Sequence, residues 1–196
     1  MRERIGVFLD RDGTLNTEVD FLRTPEELEV IDGAPAAVRK LNERGLIACV
    51  ISNQSGVARG LLTEETLADI HARLTEEFGR GGATFDRIYY CPHHPTEGVG
   101  VYRVDCSCRK PKPGMLLKAA EDFQLDLTRS YLVGDSVVDI QAGNAVGATT
   151  ILVQTGYGKK SLQSCAEQGI PVGFVAASVV EAVEFILDHV QRRAND

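Results

Sequence analysis

"VFLDRDGTLN", residues Val7–Asn16, is an apolar run that stops on Asp10 and Asp12 and turns at once through Gly13 and Thr14. Its apolar part favours a strand. Residues two apart on a strand point to the same side. Carboxylates placed that way repel each other unless something positive sits between them. They either cap a turn or hold a cation, and the rest of the chain has to decide between the two.

Outward from this stretch, short β-rich runs alternate with helical patterns. The other strand candidates are "LIACVIS" (46–52), "RIYYC" (87–91), "SYLVGD" (130–135), "TTILVQT" (149–155) and "VGFVAAS" (172–178). Between and after them the spacing predicts helices over Ala34–Arg44, Thr63–Phe78, Gly114–Gln124, Val137–Val146, Lys160–Glu167 and Ser178–Arg193. Thr63 before Glu64 and Glu65 reads as an N-cap with acids in the first turn. Ser178 and Glu181 have capping-box spacing, and Gly45 stops the first helix. Leu67, Ile70, Leu74 and Phe78 make one apolar stripe. Such alternation implies an α/β, Rossmann-like three-layer sandwich around a mainly parallel sheet. Ligands then bind beyond the carboxyl ends of the strands, where Asp10, Ser52, Cys91 and Asp135 fall. Thr14–Asp32 and Pro92–Pro113 read as long irregular segments, which inside a compact domain are usually functional or clamped.

The 196 residues, 43% hydrophobic, suit a single domain over 1–196. A net charge of −7 argues against a nucleic-acid or anionic-membrane partner. The first apolar run is too short for a leader and no segment could span a bilayer, so the expectation is a cytoplasmic monomer.

Three further stretches bear on the opening acids. "VISNQSG" (50–56) ends a strand on Ser52 and Asn53, a hydroxyl and amides suited to an anion. "CRKPKPG" (108–114) brings Arg109, Lys110 and Lys112 before a helix. "YLVGDSVVD" (131–139) ends a strand on Asp135 and adds Asp139 one helical turn on, either behind a metal shell or as a helix cap. Each alone has a plain reading as turn, loop or solvated charge.

A separate cluster lies in the second irregular segment. Cys91-x-His93 and Cys106-x-Cys108 offer three thiolates and one imidazole, a closed tetrahedral set for structural Zn²⁺, here a zinc loop at 91–108. His94 is the alternative imidazole. Cys49 and Cys165 read as buried and inert, His71 and His189 as ordinary helix-face residues.

Together, in order, the four stretches resemble the motifs of the haloacid dehalogenase superfamily of phosphohydrolases. That resemblance implies a Mg²⁺ held by Asp10, Asp135 and the backbone carbonyl of Asp12. It implies Asp10 as nucleophile, forming an aspartyl phosphate, and Asp12 as general acid and base. Ser52, the Asn53 amide and Lys110 would stabilise the phosphoryl oxygens, with Lys112 the runner-up to Lys110.

"SNQSGVARG", "YYCPHHP" and "CRKPKPGM" resemble the zinc-loop group of that superfamily, which acts on phosphorylated sugars and on histidinol phosphate. This implies a phosphorylated sugar as partner, recognised by Arg109, with Glu18, Val19, Asp20 and Phe21 and with Ser52, Asn53, Gln54 and Ser55 lining the pocket. The group often carries Lys or Arg after its last metal aspartate, where this chain has Ser136. Arg59 is either a replacement charge or a surface residue. Asn16–Gly33 is too short for a large cap domain, so short loops, the zinc loop among them, should shield the pocket. The readings in competition are a histidinol-phosphate phosphatase, a nucleic-acid 3′-phosphatase and a zinc-stabilised non-catalytic binding module.

Overall fold

The computed structural model describes residues 4–195; residues 1–3 and 196 of the expected 1–196 unit lie outside it. The six apolar runs form strands β1 (Gly6–Leu9), β2 (Ile47–Asn53), β3 (Arg87–Cys91), β4 (Tyr131–Gly134), β5 (Thr149–Val153) and β6 (Phe174–Ala176). They pair in the order β3-β2-β1-β4-β5-β6, every pair parallel. The connecting helices are α1 (Ala34–Glu43), α2 (Ser55–Ala58), α3 (Glu64–Arg80), α4 (Gly114–Phe123), α5 (Val137–Asn144), α6 (Gly158–Gln168) and α7 (Val179–Asn195). Sequence reading missed α2, a single turn too short to show a hydrophobic period.

Strand alternation sorts the core into two faces. Val7, Leu9, Val50, Val133 and Ile151 point to one side, packed with Val38 and Leu41 of α1, Phe78 of α3 and Val183 of α7. Phe8, Cys49, Ile51 and Leu132 point to the other, against Met115 and Leu116 of α4, while Leu152 meets Ile140 of α5 and Cys165 of α6. The expected three-layer sandwich is present. Thr63 caps α3 by accepting from Thr66 N at 3.1 Å. At α7 the box is shifted: Ser178 Oγ accepts from Val180 N, and Glu181 reaches back to Ala177 N.

The sheet order reverses between β1 and β4, which opens a crevice at their carboxyl ends. Asp10 N donates to Val133 O at 2.9 Å, so Asp10 stands level with the end of β4 and with Asp135 just beyond it. Thr14–Asp32 contains only a 3₁₀ turn at Pro25–Glu27 and an isolated bridge between Asn16 and Val30, and so adds a roof loop to the sheet.

Candidate active site

The crevice forms a cavity of about 230 Å³. Asp10, Asp12, Ser52, Asn53, Lys110, Asp135 and Ser136 line it from the sheet side, and Glu18, Asp20, Phe21 and Leu22 from the roof loop. Its walls are completed by Gln54, Ser55, Gly56, Leu62, Val138 and Tyr157. Lys110 is the one cationic side chain among the described lining residues.

Lys110 is 2% exposed and all three of its ammonium hydrogens are engaged: Nζ lies 2.9 Å from Asp10 Oδ1, 2.5 Å from Asp139 Oδ1 and 3.0 Å from Ile51 O. Burial works against its charge, but Asp10 and Asp139 outweigh burial and keep the amine protonated. Its backbone is fixed as well. Asn53 Nδ2 donates to Lys110 O at 2.9 Å, and Asn53 Oδ1 accepts from Lys110 N at 3.0 Å. Lys112 instead pairs with exposed Asp105.

Asp139 caps α5, one of the two roles the sequence left open, and also holds Lys110. Its Oδ2 accepts from Ser136 N at 3.1 Å and Ser136 Oγ at 2.5 Å, capping α5, while Oδ1 holds Lys110.

Negative charge is otherwise crowded here. Burial is the main force pushing the Asp10 carboxyl well up, with Asp139 and Asp135 adding to it against Lys110. Burial likewise pushes Asp135 up to about 7. Carboxyl oxygens of Asp10, Asp135 and Asp139 lie within 4.8 Å of one another, a spacing that suits one cation. Asp139 has both oxygens committed, whereas Asp10 Oδ1 takes Arg11 N and Lys110, and Asp135 Oδ2 takes Tyr157 N at 2.8 Å. Asp10 Oδ2, Asp135 Oδ1 and the Asp12 carbonyl accept no hydrogen bond among the described residues. They are three hard oxygens of the kind Mg²⁺ prefers. Gly13 (φ +73°) and Gly156 (φ +52°) close around Asp135, where a Cβ on either would collide with its carboxylate.

Asp12 has a different setting. Its carboxylate accepts from Arg11 Nε at 3.0 Å and Nη2 at 2.8 Å, from Asn16 Nδ2 at 3.0 Å and from Gln54 Nε2 at 2.8 Å. Burial raises its pKa, but Arg11 and these donors prevail and hold it below the usual value. Gln54 Nε2 also donates to Ser52 Oγ at 2.7 Å, which leaves the Ser52 proton free to meet an anion. Arg11 is fully buried, with Nη1 3.4 Å from His71 Nε2. His71 is pushed down to about 3 by burial and Arg11, and so stays neutral.

The Cys91, Cys106 and Cys108 thiols and His93 form a second cluster, with Sγ–Sγ distances of 3.4 and 3.1 Å and both Sγ–Nδ1 distances 3.7 Å. The edges of a zinc tetrahedron run about 3.5–3.8 Å, so the donor set suits that ion and the sulfur–imidazole spacing matches it, while the sulfur pairs stand closer together than those edges. His94 turns away, accepting from Glu97 N at 3.0 Å. Cys49 and Cys165 are buried in the core.

Two expected pocket residues are elsewhere. Arg109 Nη1 donates to His93 O at 3.1 Å and is absent from the cavity lining. Val19 is 45% exposed and lines an adjoining groove. Arg59 pairs with Glu97 and lies 5.5 Å from the Phe21 ring centroid. Segment 91–108 contributes no lining residue among the described residues; the shielding comes from Glu18, Asp20, Phe21, Leu22, Leu62 and Tyr157. Sequence reading missed Tyr157, Leu62 and the Arg11–His71 pair. Tyr157 could have been found by extending the strand-end rule to β5, which it closely follows.

Residues 107–182 match the HAD-hydrolase-like family model. The D-glycero-D-manno-heptose-1,7-bisphosphate 7-phosphatase of Thermosynechococcus vestitus is 41% identical, over 97% of this chain and 99% of that protein. The D-glycero-beta-D-manno-heptose-1,7-bisphosphate 7-phosphatase of Vibrio cholerae is 37% identical over 95% and 97%. Among solved structures, the D,D-heptose 1,7-bisphosphate phosphatase of B. bronchiseptica, complexed with magnesium and phosphate, superposes with a TM-score of 0.84 at 36% identity, over 94% of this chain and 99% of that one. With its strand-end carboxylates and relatives of this identity along nearly its whole length, the chain belongs to the heptose-bisphosphate phosphatase family of haloacid-dehalogenase-like hydrolases.

Proposed function

We propose that this protein removes the 7-phosphate of D-glycero-D-manno-heptose 1,7-bisphosphate, giving heptose 1-phosphate for the synthesis of nucleotide-activated heptose, a lipopolysaccharide precursor. The observation that carries the reading is the placing of Asp10, Asp12, Ser52 and Lys110 around one cavity, in a chain whose relatives bear that name.

Asp10 is the nucleophile, oriented through Oδ1 by Lys110 and Arg11 N. Mg²⁺, held by Asp10, Asp135 and the Asp12 carbonyl, would neutralise phosphate charge so that an anionic carboxylate can approach. As Asp10 forms the aspartyl phosphate it loses its charge and its claim on Lys110. One ammonium N–H then donates its hydrogen bond to a phosphoryl oxygen instead, joined by the Ser52 hydroxyl and the Asn53 amide, with Lys110 remaining protonated. The charge of a bound substrate would raise the Asp12 pKa enough for it to take up a proton, which it gives to the leaving oxygen; it later takes one from the water that hydrolyses the intermediate. Arg11, Asn16 and Gln54 aim it for both steps. Zn²⁺ at Cys91, His93, Cys106 and Cys108 is structural, since these ligands leave no open position.

Histidinol phosphate remains the second reading because the cavity offers no cation beyond Lys110, and Ser136 supplies none for a second phosphate. Phosphate release with Mg²⁺ from both substrates, with Asp10→Asn as control, tests the assignment. Preference for the bisphosphate, lost in the variant, upholds it; preference for histidinol phosphate overturns the substrate and keeps the chemistry.

A further inference from the structure

The roof loop is held on its two flanks by different means. On one flank Leu22 packs with Val57, Leu62, Leu67 and Ile70. On the other, Tyr157 Oη donates to Asp20 Oδ1 at 2.7 Å. Asp20 sits at φ +60°, a left-handed conformation that a non-glycine residue keeps only when its surroundings hold it there. Tyr157 is itself tied to the catalytic carboxylates, because its backbone N donates to Asp135 Oδ2. One residue therefore joins the carboxylate cluster, through its main chain, to the roof loop, through its side chain.

The bridge also divides space. Glu18, Asp20 and Tyr157 line both the catalytic cavity and an adjoining groove of about 500 Å³ that continues past Thr17, Ile31 and Thr155. The groove carries two carboxylates, threonine hydroxyls and a Tyr157 side chain 45% exposed, and no cation among its described residues. That chemistry repels a phosphate. It suits the hydroxyl-bearing carbons between the two phosphates of the sugar proposed above, whose O–H groups donate to carboxylates while their C–H faces lie on an aromatic ring, with the second phosphate kept out of the groove.

We propose that the Tyr157–Asp20 bridge positions the roof loop and reads the hydroxyl-bearing chain of the leaving group, making Tyr157 a specificity-determining residue for polyol phosphates. The proposal rests on the sugar-phosphatase reading above. Chemistry at phosphorus does not pass through the Tyr157 hydroxyl, so its removal should act on binding more than on turnover.

The test uses Tyr157→Phe, Asp20→Ala and the double variant in the full-length protein. Tyr157→Phe keeps the main-chain bond to Asp135 and removes only the hydroxyl. For the sugar phosphate that the wild type hydrolyses, KM should rise about fivefold in either single variant, with kcat changing less, and the double variant should be no worse than the poorer single. For p-nitrophenyl phosphate, which has no polyol chain, the KM shift should be smaller. Trypsin should cut after exposed Arg23 several-fold faster in Tyr157→Phe, with mass spectrometry identifying the bond. Equal KM shifts for both esters would overturn the specificity role, and wild-type cleavage at Arg23 would overturn the bridge. The proteolysis needs no substrate, so it still decides the bridge if the heptose assignment fails.

Discussion

The two metal-suited clusters of this chain are assembled in opposite ways. Asp10, Asp135 and Asp139 come from the ends of the central strands β1 and β4 and from the first turn of α5, all fixed by the sheet. Each already has protein donors, so the cluster can form before any cation arrives, at the cost of raised carboxyl pKa values. Cys91, His93, Cys106 and Cys108 start at the edge strand β3 and continue on a loop with little regular structure. Sulfurs and imidazole there face chiefly one another. The sheet builds the carboxylate site, whereas the loop site has no such support and is the one that a bound ion would stabilise. The two are not independent, because Lys110 lies two residues beyond Cys108 and delivers its amine to Asp10.

The largest effect should come from the carboxylate side. Asp10→Asn should lower kcat by at least about 10³ by removing the nucleophile. Its Tm should hold or rise in Mg²⁺-free buffer, since a charge crowded by Asp135 and Asp139 is gone. A steep loss of Tm would break the comparison by making this cluster a structural support.

Cys108→Ser should do the reverse. Bound zinc per chain should fall, and Tm should drop by about 5–10 °C, as expected when a structural metal is lost from a chain of this size. Because Lys110 follows so closely, kcat should also fall, by about tenfold. Elemental analysis with a thermal melt checks the first part and steady-state kinetics the second. Retained kcat with lost zinc would show that Asn53 and the partners of the Lys110 ammonium hold the lysine without the loop.

Asn53→Ala examines that clamp from the other side. It removes both bonds to the Lys110 backbone and should cost about tenfold in kcat, while zinc content stays at the wild-type level. Combined with Cys108→Ser, the loss should fall short of the product, since both act through one side chain.

The two clusters also differ in how far they could be read from sequence. Both announce themselves locally: strand runs ending on Asp10 and Asp135, and Cys-x-His with Cys-x-Cys on a loop. Strand existence was equally legible, since Val, Ile and Leu runs between helical patterns leave few alternatives. What stayed hidden depends on packing between distant segments. Asp139 turned out to serve cap and lysine at once because its two oxygens face different elements. Arg109 and Val19 lie in segments without periodicity, so nothing local says which way they turn; one found the His93 carbonyl and the other solvent. His71 looked like a helix-face residue, yet its helix delivers it to Arg11, a contact across 60 positions of chain.

The smallest effect gives the sharpest contrast, because the two clusters should respond to pH with opposite signs. Burial, aided by Asp139 and Glu18 and opposed by the Tyr157 N–H and Lys110, pushes the Asp135 carboxyl up to about 7. An unfolded aspartate titrates near about 4, so between these values the folded chain binds more protons than the unfolded one. Stability from this group is therefore greatest below the window and is lost as pH rises through it. Protein dialysed free of Mg²⁺ but retaining zinc should lose a few degrees of Tm between about pH 5 and pH 7.5 from this source. Saturating Mg²⁺ should flatten that slope, because the ion favours the ionised carboxylates. The thiolate cluster runs the other way, since protons compete with its metal and weaken it as pH falls. Melts of wild type and Cys108→Ser across this range, each with and without Mg²⁺, separate the two. A Mg²⁺-free slope that rises with pH in Cys108→Ser would mean that the central carboxylates are already neutralised by the protein, leaving no deficit for a cation to fill.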